Sequence, residues 1–347
     1  MTSYLSTTDE NQRYMNSSGA NEAGFSKLPQ ILWQYLKNGN KERTPAFPLP
    51  VQKFQLPEKA GVEARLYKIS HSTLLLQLNG HYWLTDPVFS ERASPLQWAG
   101  PKRFHELPIE LADIPALGGV ILSHDHYDHL DKQSIVVLKD RTEHFIVPLG
   151  VEQHLISWGI PQHKIISLDW WQHTQLHGVQ LTATPAQHFS GRGLYDKNKT
   201  LWASWAIRTD QLNIFFSGDS GYFSGFKQIG EVLGPFDLTL IETGAYNELW
   251  ADIHMMPEQS LRAHLDLQGK YMIPIHNSSF DLAMHNWFEP LDRLEVAAKA
   301  YQVSLLTPVF GQSIELEHLY KTDYKKNWWY QFKLTTESQP EEILKAE

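Results

Sequence analysis

The sequence predicts one main domain of mixed α and β structure, residues 51–335, in which short apolar strands are interspersed with helices. Runs of apolar and β-branched residues, bounded by turn residues, are typical of strands in a buried sheet. Two longer apolar-periodic stretches in the second half are typical of helices. No short repeat, block of like charge or interior linker divides residues 51–335. These observations favour a layered α/β (α+β) domain.

The two ends of the chain are predicted to lie outside this domain. Residues 1–26 are rich in Ser, Thr, Asn and Gln, and prolines at 45, 48 and 50 indicate an extended connector. We therefore predict a flexible N-terminal arm and connector over residues 1–50, with a short helix at 28–36. Residues 336–347 are predicted to form a C-terminal tail.

The elements of the main domain follow in order. A strand is predicted at 65–69, and two more at 72–78 and 81–85 are joined by the hairpin turn signal Asn79-Gly80. Further strands are predicted at 118–122, 145–148, 180–184, 212–216, 238–241 and 271–275. Helices are predicted after the cap residue Asp131 through 138, at 257–267 and at about 290–301.

Composition excludes several classes of function. A net charge of −9 argues against broad nucleic-acid binding. The chain has no cysteine, so disulfides, thiolate ligands and cysteine nucleophiles are all excluded. No apolar run is long enough to cross a bilayer, and residues 1–40 show no secretory signal, so a cytoplasmic location is predicted. A peripheral membrane contact needs only a small apolar patch and stays open, as does a homodimer.

The most informative segment is residues 124–129, which read H-x-H-x-D-H. It holds His124, His126, Asp128 and His129, and imidazole and carboxylate are ligands of divalent metals such as zinc. Neither a helix nor a strand would bring all four side chains together, because of their spacing. They converge if the segment is a sharp loop between a strand end and a helix start.

The same arrangement recurs later in the chain. His188, Asp219 and His276 each lie just after a predicted strand, where α/β sheets place their ligands. Alone, each is more simply explained as a turn or a hydrogen-bonded structural residue. Together with the loop they make seven donors, which is too many for one tetrahedral zinc but suits two metals that share a carboxylate.

These motifs resemble the metallo-β-lactamase fold superfamily, whose signature is H-x-H-x-D-H followed by His, Asp and His on later strands. Within it, several segments resemble N-acylphosphatidylethanolamine-hydrolysing phospholipase D. They are His71-Ser72-Thr73, Leu84 to Phe89, Ser123 to Asp131, Asp169-Trp170-Trp171, Thr184 to His188, Leu201 to Trp205, Ser217 to Tyr222, Gly234 to Asp237 and Gly244-Ala245-Tyr246. The resemblance covers roughly residues 60–315 and implies an αββα sandwich of two mixed sheets flanked by helices.

The resemblance also implies a site with two Zn²⁺ ions per chain. The first zinc would be held by His124, His126 and His188, and the second by Asp128, His129 and His276. Asp219 would bridge them. Asp86 is expected to orient a metal histidine, although a strand-end turn before Pro87 is an equal alternative.

The implied activity is zinc-dependent hydrolysis of a phosphodiester. We expect N-acylphosphatidylethanolamine-like phospholipids to be cleaved to N-acylethanolamine and phosphatidic acid by a metal-activated water. Asp128, Asp219 and His254 are the expected catalytic residues: Asp128 would orient the water, and His254 matches a histidine near the substrate phosphate. A lactonase of the L-ascorbate-6-phosphate lactonase type, and a metal-binding protein without turnover, remain alternatives.

Substrate contacts are expected from residues around this site. Phe189, Trp202, Tyr246 and Trp250 could line an acyl pocket, although any one of them could instead be part of the core. The remaining candidates are Tyr127 and Asn277. The chain departs from the family at Asn277-Ser278-Ser279, where Trp-Gly-Thr is common, and at Glu242-Thr243, where Pro-Ile is common. Both departures leave the metal ligands intact and bear on the substrate.

Overall fold

The computed structural model describes residues 5–17, residue 30 and residues 42–333. The predicted tail at 336–347 lies outside the described residues, and so does the predicted helix at 28–36 apart from residue 30. Within the described residues the main domain consists of two seven-stranded sheets with helices on their outer faces.

The first sheet is built mainly from the N-terminal half of the domain. Its strands are β3 (Arg65–Lys68), β4 (Leu74–Leu78), β5 (His81–Thr85), β6 (Leu117–Ile121), β7 (Thr142–Pro148), β8 (Ile165–Leu168) and, at its edge, β16 (Ser313–Glu315). Their order is β16-β3-β4-β5-β6-β7-β8. Strands β5 to β8 pair in parallel and the remaining pairs are antiparallel. The sheet is therefore mixed.

The second sheet is also mixed. Its strands are β9 (His173–Leu176), β10 (Val179–Thr184), β11 (Ser204–Arg208), β12 (Asn213–Phe216), β13 (Phe236–Glu242), β14 (Gly269–Ile275) and β15 (Ser304–Leu305). They follow the order β15-β14-β13-β12-β11-β10-β9, with β12 to β15 parallel. The sequence did not predict β8, β9, β11, β15 or β16, which are short or carry polar residues at several positions.

The helices cover the outer face of each sheet. They are α1 (Lys132–Leu138), α2 (Glu152–Ser157), α3 (Gly225–Leu233), α4 (Pro257–Asp266) and α5 (Glu289–Ala300). Short 3₁₀ turns lie at Leu111–Asp113, Gln162–Lys164, Glu248–Trp250, Leu316–His318, Thr322–Tyr324 and Trp328–Phe332.

Three buried clusters separate the four layers. Alternate residues of each strand point to opposite faces, so Leu74 and Leu76 enter the core between the sheets while Leu75 enters the core beneath the helices of the first sheet. Phe215 and Phe226 belong to the corresponding outer core of the second sheet. The predicted αββα sandwich of two mixed sheets is confirmed.

The described part of the N-terminal arm contacts the main domain. Residues 5–17 contain a two-stranded ribbon, β1 (Thr7–Thr8) with β2 (Tyr14–Met15). Asn16 is buried, and its side chain donates to the backbone oxygen of His188 at 3.0 Å and accepts from the backbone nitrogen of His188 at 3.0 Å. These paired hydrogen bonds attach the ribbon to the main domain, and the flexibility of the N-terminal arm stays a prediction.

Candidate metal centre

The H-x-H-x-D-H segment is a tight loop between β6 and α1. Strand β6 ends at Ile121, and the carboxylate of Asp131 caps α1 by accepting from the backbone nitrogen of Gln133 at 3.1 Å. Between them, the backbone nitrogens of His129 and Leu130 both donate to the carbonyl of His126, at 3.0 and 2.8 Å. This turn gives the side chains the convergence that neither a helix nor a strand would allow.

The other site residues reach the loop because their strands end at the same edge of the sandwich. His188 follows β10, Asp219 follows β12 and His276 follows β14. Gly218 lies at φ +55°, and a Cβ there would stand 2.5 Å from that of Ser123, so this position requires glycine where the two sheet edges meet. His276 is left-handed at φ +60°, a conformation uncommon in non-glycine residues that often marks functional sites.

Four side chains form a first cluster of donors. Nδ1 of His126 lies 2.9 Å from Nε2 of His124 and 3.2 Å from Nε2 of His188. Oδ2 of Asp219 lies 3.8 Å from Nε2 of His124 and 3.7 Å from Nε2 of His188. One donor atom from each of the four lies within 4.8 Å of the others, which is compact enough for one ion.

A second cluster surrounds the carboxylate of Asp128. Its Oδ2 lies 3.5 Å from Nε2 of His129 and 3.3 Å from Nε2 of both His276 and His71. Asp219 adjoins this cluster too, with Oδ1 3.0 Å from His129 and Oδ2 3.1 Å from His276. Asp219 therefore lies between the two groups, where a shared ligand has to be.

The donor set fits divalent metal ions. Nε2 of His129 and Oδ1 of Asp219 are buried and approach to 3.0 Å, yet among the described residues neither has a hydrogen-bond partner, because their mutual geometry is not that of a hydrogen bond. Buried polar atoms without partners are costly and rare in proteins. Two ligands of one ion would show such an arrangement. Imidazole and carboxylate donors without thiolate suit a borderline or hard divalent ion.

Hydrogen bonds behind the clusters fix the orientation of the imidazoles. The buried carboxylate of Asp86 accepts from Nδ1 of His129 at 2.6 Å and from the backbone nitrogen and hydroxyl of Ser123 at 2.7 and 2.6 Å. The Ser123 hydroxyl in turn accepts from Nδ1 of His124 at 2.9 Å. Both histidines therefore present Nε2 to the site, which is the usual effect of such outer partners on metal histidines.

His254 and Glu242 form a pair at the rim of the site. Oε2 of the buried Glu242 accepts from Nδ1 of His254 at 2.9 Å, and its Oε1 accepts from the backbone nitrogen of Met255 at 2.8 Å. The His254 ring lies 5.1 Å from that of His188 and 5.3 Å from that of His276. Glu242, one of the departures from the family pattern, thus orients His254, whose ring lies close enough to Asp219 and His276 to form a third group of donors with them.

The two halves of the site differ in their affinity for protons. Burial lowers the pKa of His124 and His188 well below the ordinary value. Burial also acts to lower the pKa of His129 and His276, but the carboxylates of Asp219 and Asp128 outweigh it. The pKa of His276 is raised to about 10 and that of His129 well above its usual range.

We expect metal binding to release protons. Below the raised pKa values, metal-free His129 and His276 hold protons that a metal must displace, so the apparent metal affinity should rise with pH across the neutral range. Calorimetric titrations in buffers of different ionisation enthalpy should show up to two protons released, roughly one from each imidazole. Affinity independent of pH between 6 and 8 would contradict this assignment.

Among the predicted substrate residues, Phe189 and Tyr127 adjoin the metal loop. The Phe189 ring lies 4.5 Å from that of His126. Tyr127 is half-buried, and its hydroxyl donates to the backbone oxygen of Arg192 at 2.9 Å. Phe189 is therefore the predicted aromatic residue placed to contact a molecule at the first cluster.

Trp202, one of the predicted acyl-pocket residues, does not line the site. It is 1% exposed in the core between the sheets, where its indole N–H is shared by the backbone oxygen of Ala186 and Oδ1 of Asn16. The core position is the alternative that the sequence left open for this residue, and a substrate contact by Trp202 stays a prediction.

The remaining predicted substrate residues have structural partners. Asn277 is buried and accepts from the ammonium of the buried Lys68 at 3.1 Å. The Tyr246 hydroxyl donates to Glu289 at 2.8 Å, and the Trp250 indole donates to the backbone oxygen of Ala245 at 2.7 Å. These contacts account for all three side chains without a substrate.

Sequence reasoning missed the contributions of His71 and Asn16. His71 is buried and joins the second cluster, and its backbone oxygen accepts from the backbone nitrogen of His276 at 3.0 Å. It belongs to a segment that resembles the family, but a single histidine before a strand has no ligand spacing. Asn16 reaches His188 from a distant part of the chain, and nothing local to it signals that contact.

Comparisons with known proteins agree with this geometry. Residues 81–277 match the family model of the beta-lactamase superfamily domain. An uncharacterised protein of Mycobacterium tuberculosis is 44% identical over 293 residues, which is 83% of this chain and 78% of the relative. The N-acyl-phosphatidylethanolamine-hydrolyzing phospholipase D 1 of Caenorhabditis elegans is 35% identical over 240 residues, 65% of this chain and 67% of the relative.

Among solved structures, the metallo hydrolase Igni18 of Ignicoccus hospitalis matches with a TM-score of 0.55 and 20% identity, over 72% of this chain and 97% of that one. The matched domain covers more than half of the chain, so this chain belongs to the beta-lactamase superfamily, and it shares the fold of that metallo hydrolase. Its relatives within that superfamily include phospholipases D that hydrolyse N-acylphosphatidylethanolamine. No helix in the described part of the chain has the length and apolar character needed to cross a bilayer.

Proposed function

We propose that this chain is a binuclear zinc phosphodiesterase of the phospholipase D type. Its substrates would be N-acylphosphatidylethanolamine-like phospholipids, and its products N-acylethanolamine and phosphatidic acid. The observation that carries the proposal is the pair of donor clusters around the shared carboxylate of Asp219. Two relatives whose names state this activity, at 35% and 33% identity, support the choice of substrate.

The donor types favour zinc. The clusters hold histidine and carboxylate without thiolate, and each cluster has three or four donors, as catalytic zinc sites do. Two such ions close together would activate a water and neutralise the charge of a phosphodiester. His124, His126 and His188 with Asp219 would hold one ion, and Asp128, His129 and His276 with Asp219 the other.

The side chains around the clusters have roles in the same reaction. Water adds to phosphorus, the phosphorus–oxygen bond to the ethanolamine group breaks, and that oxygen leaves with a proton. Asp128 is partly exposed, and its carboxylate can accept a hydrogen bond from the attacking water. In its imidazolium form His254 can donate from Nε2 to a phosphate oxygen or to the leaving oxygen while Nδ1 donates to Glu242, which holds the ring in that orientation.

One small cleft beside the second cluster is lined by residues that the structure describes. A cleft lined by His71, His276 and Phe280 has a volume of about 10 Å³, which is room for about one water. An acyl chain does not fit there, so we expect the diester group to approach the metals while the acyl chains stay outside this cleft.

The direct test is hydrolysis by the purified zinc-loaded chain. N-acylphosphatidylethanolamine in detergent micelles should give N-acylethanolamine and phosphatidic acid, identified by mass spectrometry, and a chelator should stop the reaction. A panel of lactones and β-lactams run in parallel separates the other activities of this fold. Turnover of a lactone with no phosphodiester cleavage would overturn the proposal in favour of a lactonase.

His254 and Glu242 should affect turnover more than metal content. We expect His254→Ala to lower kcat on the phosphodiester by roughly 10²-fold, the usual contribution of a positioned proton donor. Glu242→Gln should lower kcat less, because Gln retains an acceptor for Met255. Metal content should stay at the wild-type level in both variants. His163→Ala serves as the control, because His163 is an exposed histidine that belongs to neither donor cluster. Loss of bound metal in His254→Ala would instead make His254 a ligand.

A further inference from the structure

A second pocket lies on the other side of the metal loop. It has a volume of about 580 Å³, and Tyr127 and Asp131 of the loop form part of its wall. Three cationic side chains line it, Arg92, Lys132 and Arg192. The chain as a whole has a net charge of −9, so this local excess of positive charge is opposite in sign to the charge of the whole chain.

Arg192 and Asp131 are held in place in this pocket by hydrogen bonds. The Arg192 guanidinium donates to the backbone oxygens of Asp125 and Leu130 at 2.6 and 2.7 Å, and it lies 4.0 Å from the centre of the Tyr127 ring. The carboxylate of Asp131 is already bonded to the backbone nitrogens of Ser90 and Gln133. With three cationic side chains against this one carboxylate, the lining of the pocket carries a net positive charge.

Two loops that flank the pocket expose large apolar side chains. Arg92 lines it from the loop at 90–102, which carries Leu96 and Trp98, 45% and 79% exposed. Arg192 lines it from the loop at 191–198, which carries Leu194 and Tyr195, 89% and 83% exposed. Single exposed apolar residues are normal on protein surfaces. Here four of them lie on the two loops that supply Arg92 and Arg192 to one cationic pocket, a concentration that is typical of interaction sites.

Hydrogen bonds within each of the two loops define the turns that carry these exposed apolar side chains. Nη1 of Arg92 donates to the backbone oxygen of Gly100, and Gln97 donates to the backbone oxygens of Arg92 and Ser94 at 3.2 Å. In the other loop, the Asp196 carboxylate accepts from the backbone nitrogens of Arg192 and Gly193 at 3.0 and 2.8 Å. The apolar side chains are thus presented by ordered turns.

We propose that these two loops dock the protein on an anionic phospholipid surface, with a lipid phosphate among Arg92, Lys132 and Arg192. Trp, Tyr and Leu side chains beside basic residues are typical of segments that insert at the membrane interface. Charge complementarity favours an anionic leaflet, where each basic residue contributes about five-fold in affinity. Since the pocket shares the 124–131 loop with the metal clusters, docking would bring the metal centre close to the lipid headgroups.

The test is co-sedimentation of the full chain with vesicles. The chain should bind vesicles of phosphatidylcholine and phosphatidylglycerol, bind pure phosphatidylcholine vesicles much less, and lose the difference at high salt. A Trp98→Ser, Leu194→Ser double variant should bind at least about ten-fold more weakly. Lys132→Ala should weaken binding about five-fold, and only to the anionic vesicles.

A matched double variant on another surface gives the control. The double variant Val296→Ser, Tyr301→Ser removes two exposed apolar side chains at α5, which are 70% and 67% exposed, and it should leave vesicle binding unchanged. Wild-type protein that does not bind anionic vesicles, or loop and control variants that bind alike, would overturn the proposal. The readout needs no hydrolysis, so its failure and the failure of the proposed phosphodiesterase activity are distinguishable.

Discussion

Replacing Asp219 with asparagine should remove most of the hydrolytic activity, by roughly 10³-fold or more. Loss of an outer partner of a metal ligand already costs about 10–100-fold, and Asp219 contacts donors of both clusters directly. The amide has one neutral oxygen where the carboxylate offered two charged ones. The asparagine side chain can therefore provide a metal ligand to one of the two clusters at most.

Metal analysis and kinetics on one preparation check this prediction. Bound metal measured by plasma mass spectrometry should fall from two ions per chain in the wild type to one or fewer in Asp219→Asn. Asp252→Asn changes an exposed aspartate near the site in the same way and should keep both metal and activity. Full metal content with full activity in the Asp219 variant would show that the carboxylate is not shared.

Replacing Asp86 with asparagine should lower the affinity for the second metal by about 10–100-fold. Asp86 accepts from Nδ1 of His129 and from the hydroxyl of Ser123. An asparagine would place an amide donor against at least one of these donors. His129 would then have to tilt or change tautomer, and Nε2 would no longer be fixed toward the site.

Metal titrations followed by calorimetry would measure the change. The weaker of the two binding steps should shift in Asp86→Asn, and excess metal should restore part of the activity. Asp169→Asn serves as the control, since Asp169 is also a buried acceptor, bonded to the backbone nitrogens of Ser6 and Trp170, but lies outside the clusters. If wild type and Asp86→Asn bound both metals with equal affinity, Asp86 would serve only to form the turn before Pro87 and would not orient His129.

The arrangement of the site was predictable where the donors are close in sequence or directly follow a clear strand pattern. The four donors of the 124–129 loop are close in sequence, and His188, Asp219 and His276 follow strands whose apolar runs were plain. Strands whose carboxyl ends share an edge bring such residues together whatever lies between them. The seven side chains do meet in the structure, and their role as ligands stays a prediction until metal is measured.

Contacts between distant segments could not be predicted from the sequence. His71 has no ligand spacing, and Asn16 belongs to a polar stretch typical of a flexible arm, although its side chain holds His188. The structural contacts of Trp202 and Asn277 could not be predicted from the sequence either. Each lies in or beside a family-like segment, but the tertiary structure commits one to the core and the other to the buried Lys68. The domain limits, a cytoplasmic location, and the homodimer left open stay predictions.

The most direct test of the account is hydrolysis in heavy-oxygen water. The zinc-loaded chain should convert N-acylphosphatidylethanolamine to phosphatidic acid that carries the heavy oxygen on its phosphate, with none in the N-acylethanolamine, because water attacks phosphorus. Heavy oxygen in a released fatty acid or in the N-acylethanolamine, or no cleavage by protein shown to hold two metals, would contradict it.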